Sequence, residues 1–236
     1  MRTQKVSPMP FFIVGILFLI LFGIISWGVY FDSNWIRSFD LTWIDWIQGS
    51  ISEGKTSFIM KITELGNMKL VIVLTIIIAI VLFIKRKFAE GLWFGGTILF
   101  CAAIGGKLLK KIFDRDRPTF LQLIEKTNES FPSGHATATT IFYGFIGVVL
   151  ILTAVHIWKK VIIGFITLIW IGYILFTRIY LGVHFPTDVL AGFLYGTAAV
   201  FISIGVYLLV QQPLRHLLRK LNLVDKSDTF ERAENY

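Results

Sequence analysis

Apolar residues in this chain run together instead of alternating. Six stretches, near 10–31, 69–85, 90–109, 136–156, 161–181 and 187–210, are almost uninterrupted. A bilayer core about 30 Å thick takes about 20 such residues per helix, so the pattern predicts an all-α, six-span transmembrane helical bundle. The first stretch follows Arg2 and Lys5, as in a signal peptide, but its apolar core is too long and no small-residue cleavage site follows. It reads as a retained anchor.

The polar segments between and after these runs carry patterns of their own. Within 32–68, Phe39, Trp43, Trp46 and Ile47 recur at helical spacing with Asp40, Asp45 and Gln48 between them, which predicts an amphipathic interfacial helix in the first outer loop. Trp27, Trp35, Trp43 and Trp46 suit that depth, where rings with one polar edge are favoured. Beyond the last run, Leu214, Leu217, Leu218 and Leu221 interleave with Arg215, Arg219 and Lys220, a basic amphipathic stretch suited to an anionic leaflet. From about 225 the chain is polar and reads as a disordered tail. The expected organisation is one six-span domain, 1–224, followed by a polar C-terminal tail, 225–236.

Composition supports the bilayer. Hydrophobic residues make up 55% of the 236 positions and charged ones only 16%, too apolar for the surface of a soluble domain of this size. The net charge of +8 does not imply a nucleic-acid partner, because the Lys and Arg residues fall in the gaps between apolar runs. Their distribution gives direction instead. Arg2 and Lys5, Lys85 to Lys87, Lys159 and Lys160, and the group from Arg215 to Arg232 share one side. Many of the basic residues on the other side lie in or beside motifs that suit phosphate. The positive-inside rule then predicts cytoplasmic termini, with the loops after spans one, three and five outside. Cys101, the single cysteine, lies in an apolar run and is expected to pack as a small hydrophobe.

Three polar clusters fall next to span ends on the predicted outer side, where charge is costly and therefore informative. Lys110 and Arg117 close the third span before Pro118; in a continuous helix they lie two turns, about 10 Å, apart on one face. Phe131-Pro132-Ser133-Gly134-His135 opens the fourth, with Ser133 as a helix cap, Gly134 allowing close backbone approach, and free amides able to hold an anion. Thr177, Arg178, His184, Pro186 and Asp188 join spans five and six. There Asp188 follows His184 by four residues, close enough to hold one ring nitrogen, and Arg178 offers a fork of donors matched to phosphate oxygens. Cations, two histidines, a carboxylate, a hydroxyl and helix starts on one face are what phosphoryl transfer needs. No histidine-rich or acidic cluster competes, so neither a metal nor another cofactor is expected. His156 and His216 sit at the opposite ends of their spans and take no part.

These motifs resemble the signature of the type 2 phosphatidic acid phosphatase family: a Lys, six residues and Arg-Pro; Pro-Ser-Gly-His; and Ser-Arg, five residues, His, three residues, Asp. Lys110 to Pro118 and Pro132 to His135 match in full, and Thr177 to Asp188 matches with Thr177 in place of the serine. The resemblance implies that His184 attacks phosphorus, that Asp188 orients it and that His135 serves as acid and then base. It also implies that Lys110, Arg117, Ser133, Gly134 and Arg178 bind the phosphate, with Lys107 or Lys111 replacing Lys110 if the helix register differs. The family includes soluble vanadate-binding haloperoxidases, which six spans argue against. The expected activity is hydrolysis of a membrane lipid phosphate, such as polyprenyl diphosphate, phosphatidylglycerol phosphate or phosphatidic acid. The alternatives are a phosphotransferase with a lipid or sugar acceptor and a non-catalytic transporter or lipid-binding scaffold.

Overall fold

A computed structural model describes residues 4–49, 51–119, 122–124, 126–227 and 231–232. Helices α1 (Met9–Tyr30), α7 (Gly134–Thr153), α8 (Ile157–Tyr180) and α9 (Pro186–Lys220) are each long and apolar enough to cross a membrane. A fifth span, Phe88–Phe113, is built from α5 (Phe88–Thr97), a π-helical stretch (Ile98–Gly105) and α6 (Gly106–Phe113). The remaining crossing combines α3 (Glu53–Thr63) and a 3-10 turn (Glu64–Gly66) with α4 (Met68–Ile84), bent by 46° where they meet. The protein is thus an all-α, multi-pass membrane bundle. Its described backbone adds only a two-residue antiparallel pairing of Gln4–Lys5 with Glu231–Arg232.

α1 packs along α9, and α7 lies against both α8 and α9. Lipid tails give no hydrophobic reason for helices to associate, so small residues that admit close packing decide the contact. A Cβ on Gly192 would stand 2.8 Å from the Ala136 Cβ and 2.9 Å from the Ser133 carbonyl oxygen, and one on Gly196 would stand 2.7 Å from the Thr140 Cβ. These two glycines bring α9 onto the first turns of α7 and set the two helix starts side by side. The π-helical stretch disturbs the regular ladder of its span, and Tyr195 of α9 donates its hydroxyl to the Cys101 carbonyl at 3.0 Å.

Several sequence expectations change in detail. The loop after the first span holds two helices, α2 (Asn34–Gln48) and α3, and α3 continues into the second span. On α2 the aromatic residues Phe39, Trp43 and Trp46 are exposed, while Ile36, Asp40, Ile44 and Ile47 face the protein. The helix therefore has two apolar faces, one suited to lipid and one packed on α8 and α9. The basic stretch after the last run is no separate element: α9 continues through Pro213 to Lys220, and at about 1.5 Å per residue its 35 residues outreach the hydrocarbon core.

The start of the tail is packed, contrary to the expectation of disorder from about 225. Asp225 accepts from the Ala89 amide at 3.0 Å and pairs with Arg215 at 3.3 Å, and the Ser227 hydroxyl accepts from the Glu90 amide at 3.3 Å. Together they cap the start of α5. Residues 228–230 and 233–236 of the tail lie outside the described residues, as does Arg2. Gly192→Val should lower the detergent melting temperature, since overpacking of this kind costs about 1–3 kcal/mol. An unchanged midpoint would show that the α7–α9 approach is looser than described.

Candidate active site

The eight residues singled out from the motifs meet at one end of the bundle, and local geometry explains how. α6 does not run on to Pro118. Asp114 adopts a left-handed conformation, φ 41° and ψ 40°, which ends the helix at Phe113 and turns the following residues back over the bundle. Lys110 and Arg117 therefore converge through this turn and not along one helical face. Ser133 caps α7, its hydroxyl accepting from the Ala136 amide at 3.4 Å, and its own amide donates to the Asp188 carbonyl at 3.0 Å. Pro186 opens α9, where its fixed φ suits the first turn. The link from α8 to α9 passes through Gly182 at φ 67°, a conformation glycine adopts without strain.

His184 occupies this link and is 2% exposed. Its Nε2 lies 3.2 Å from Arg117 Nη1, and its Nδ1 lies 3.2 Å from the Ser130 hydroxyl and 3.5 Å from Asp188 Oδ2. A guanidinium can only donate, so Nε2 accepts, and the proton of the neutral ring belongs on Nδ1. Asp188 reaches the ring only at this longer distance. Ser130 stands between them, accepting from Nδ1 and donating to Asp188 Oδ2 at 2.5 Å. The carboxylate also receives the Phe185 amide at 2.9 Å on Oδ2 and Arg115 Nη1 at 2.6 Å on Oδ1.

The other residues surround the free side of the ring. Arg117 also donates to the carbonyls of Val183, Asn128 and Glu129. Lys110 donates to the Glu129 and Ser130 carbonyls. A Cβ on Gly134 would meet Lys110 Cε at 3.7 Å, so the start of α7 leaves the ammonium room. Arg178, at the end of α8, donates to the Thr63 hydroxyl at 2.7 Å, and the same hydroxyl meets that of Thr177 at 2.8 Å. Arg178, His184 and Arg117 lie close enough to His135 for their charges to act on it. His135 Nε2 and Arg178 Nε are buried without a hydrogen-bond partner, two unmet polar atoms in one small region. A polar cavity of about 420 Å³, bordered by Arg115, Arg117, Lys126 and Glu129, lies alongside the site.

Four contributors escaped the sequence reading. Arg115, which stands between Asp114 and Asp116 in the sequence, bridges Asp188 and Asp40. Asp40 was placed on the polar side of the interfacial helix. A signal existed, since Ile36, Ile44 and Ile47 share its face and a lone carboxylate in that stripe is out of place. Ser130 and Thr63 had no periodicity or motif to mark them. Burial pushes the Asp40 carboxyl up despite Arg115. Burial also works against the charge of Arg115, but Asp188 and Asp40 outweigh it and hold the guanidinium above its ordinary value.

A model of the PAP2 superfamily matches residues 90–212, which include all three motifs. The chain belongs to that family. Phosphatidylglycerophosphatase B of Bacillus subtilis is 36% identical over 152 residues, covering 61% of this chain and 71% of the relative. Undecaprenyl-diphosphatase of Sulfolobus acidocaldarius is 35% identical over 94 residues, 40% of this chain and 41% of the relative. The crystal structure of a transmembrane PAP2-type phosphatidylglycerolphosphate phosphatase from Bacillus subtilis superposes with a TM-score of 0.69 at 28% identity, covering 81% of this chain and 94% of that one. This PAP2 protein is a multi-pass membrane phosphatase.

Burial carries the His184 ring down to about 3, against the opposing pull of Asp188. The charged form is the one disfavoured, so the folded-state value lies below the ordinary ~6.5 and the ring is neutral between the two. Nitrogen-15 spectra at about pH 5, with His184 assigned by its loss in His184→Gln, should therefore show a neutral ring protonated on Nδ1. A doubly protonated ring at that pH would contradict the site as described.

Proposed function

We propose that this protein hydrolyses the terminal phosphate of a membrane lipid at the extracytoplasmic face, through a phosphohistidine on His184. The observation that carries the proposal is the polarity of the His184 ring. Its Nδ1 proton is held by Ser130 and Asp188, while the Nε2 lone pair faces the Arg117 guanidinium. In the first step Nε2 attacks phosphorus, the bond to the leaving oxygen breaks, and His135 gives that oxygen its proton. In the second, water attacks phosphorus, the P–N bond breaks, His135 takes the water proton, and orthophosphate leaves. Lys110, Arg117 and Arg178 balance the charge on the equatorial oxygens, and the Ser133-Gly134 start of α7 supplies amides. Arg117 must exchange His184 and the loop carbonyls for phosphate oxygens, which as charged acceptors bind it more strongly.

A lipid substrate fits a site at the end of a bundle beside an interfacial helix whose Phe39, Trp43 and Trp46 face outward. The named relatives favour phosphatidylglycerol phosphate and polyprenyl diphosphate over phosphatidic acid. The outward orientation rests on the far end of the bundle, where Lys85, Arg86 and Lys87 lie with the tail that packs on α5. Water is favoured as acceptor because the relatives are named as phosphatases.

Phosphate release across a panel of lipid phosphates, with water and alcohol acceptors compared, tests the chemistry. Activity should persist in a chelator, and His184→Ala should lose about 10³-fold or more in kcat while remaining folded. Appreciable turnover by that variant would mean another nucleophile. For orientation, Lys126→Cys in a Cys101→Ala background should react with a membrane-impermeant maleimide on intact cells. Labelling only after permeabilisation would place the site on the cytoplasmic side.

A further inference from the structure

The proposed reaction gives Asp40 no task, yet this carboxylate is 2% exposed and lies on a helix outside the membrane spans. It stands on the inward face of α2 between Ile36 and Ile44. Both oxygens are engaged. Oδ1 accepts the Thr187 amide at 2.8 Å, while Oδ2 accepts the Thr187 hydroxyl at 2.8 Å and Arg115 Nη2 at 2.7 Å. Arg115 directs its other terminal nitrogen to Asp188 Oδ1 at 2.6 Å and to Thr187 Oγ1 at 2.8 Å, and the Phe185 ring covers the guanidinium at 4.2 Å. A guanidinium is a rigid planar fork, so a carboxylate that fixes one prong also fixes the other.

We infer that Asp40 is a positioning residue for the nucleophile: through Arg115 it fixes the plane of the Asp188 carboxylate, and through Asp188 and Ser130 the ring of His184. With Oδ1 held by Arg115, Oδ2 is left facing Ser130 and the His184 side. Helix stability alone does not call for such an arrangement, because buried ion pairs gain little over apolar residues of equal volume. The arrangement also ties the first outer loop to the reaction, since α2 carries both the aromatic face and the carboxylate. The inference rests on the reading of His184 as nucleophile.

The test is steady-state phosphate release by the purified full chain in detergent micelles, with phosphatidylglycerol phosphate as substrate and kcat separated from KM. Wild type, Asp40→Asn, Arg115→Gln and the double variant are compared per folded molecule, judged by size exclusion and thermal melting. Asp40→Asn should lower kcat about 10-fold or more with KM within about 3-fold, as a misplaced nucleophile requires. The double variant should be no slower than Arg115→Gln alone, because the two residues act in series. Losses that multiply in the double variant, a kcat within about 2-fold of wild type for Asp40→Asn, or a rise in KM at constant kcat would each overturn the proposal. Should Asp40→Asn fail to fold, Asp40→Glu keeps the charge but displaces it by one methylene, and normal kcat in that variant has the same overturning force. His184→Ala, run in parallel, separates the two ideas: turnover there removes the nucleophile reading whatever Asp40 does.

Discussion

A carboxylate with no exposure to solvent at the start of a membrane helix is the constraint around which this end of the protein is arranged. Leaving such a charge without partners costs several kcal/mol, so Asp188 must find donors for its oxygens. It finds them in three separate segments. Arg115 comes from the turn after α6, Ser130 from the approach to α7, and the Phe185 amide from the link before α9. Satisfying one side chain thus gathers the segments that carry Lys110 and Arg117, Ser133 to His135, and His184. The Ser133 amide on the Asp188 carbonyl adds a backbone tie between the same two helix starts.

This gathering requires the helices beneath to be close enough. Gly192 and Gly196 let α9 lie against the first two turns of α7, so that a side chain as short as Ser130 and the backbone amide of Ser133 can reach across. The register of α7 against α9 is thereby coupled to the geometry of the site. Thr63 makes a corresponding tie on the other side. The bend between α3 and α4 brings it over the end of α8, where it holds both Arg178 and Thr177. The hydroxyl of Thr177 is used for this contact and for the Ile174 carbonyl at 2.5 Å, so either threonine or serine suits the position.

Much of this was legible in the sequence because two signals are simple. Apolar length marks the spans, and charges beside span ends stand out against an apolar chain, which is how Lys110, Arg117, Arg178, His184 and Asp188 were found. What stayed hidden depends on contacts between segments distant in sequence. Arg115 has acidic residues on both sides, and nothing local distinguishes a solvated charge run from a cation whose partners are Asp40 and Asp188. The α2 helix misled in a different way: its exposed aromatic face dominates the pattern, and the narrower inward stripe of Ile36, Ile44 and Ile47 makes Asp40 conspicuous only when read separately. The bend before α4 and the packing of Asp225 on α5 carry no periodic signal either. Such contacts follow from tertiary structure and not from local preference.

The balance of charge explains how such a site can rest stably and still bind a dianion in the proposed reaction. Arg115 is committed to two carboxylates and cannot serve a substrate. Lys110, Arg117 and Arg178 differ, for among the described residues their hydrogen bonds go to backbone carbonyls, the Asn128 side-chain amide, a histidine nitrogen and a hydroxyl, all of them neutral acceptors. Neutral partners satisfy a cation's donors without cancelling its charge, and they are weaker than the charge-assisted bonds a phosphate offers. Had these cations been paired with carboxylates, a phosphate would have had to break buried ion pairs to enter. The same carbonyls at Asn128, Glu129 and Ser130 that hold the cations in place belong to the segment that also presents the Ser130 hydroxyl to Asp188. On the proposed reading, entry of phosphate relieves these carbonyls of their cations while Arg115 keeps Asp188 and Ser130 where they were, so the half of the site proposed to bind can rearrange without disturbing the half proposed to orient His184.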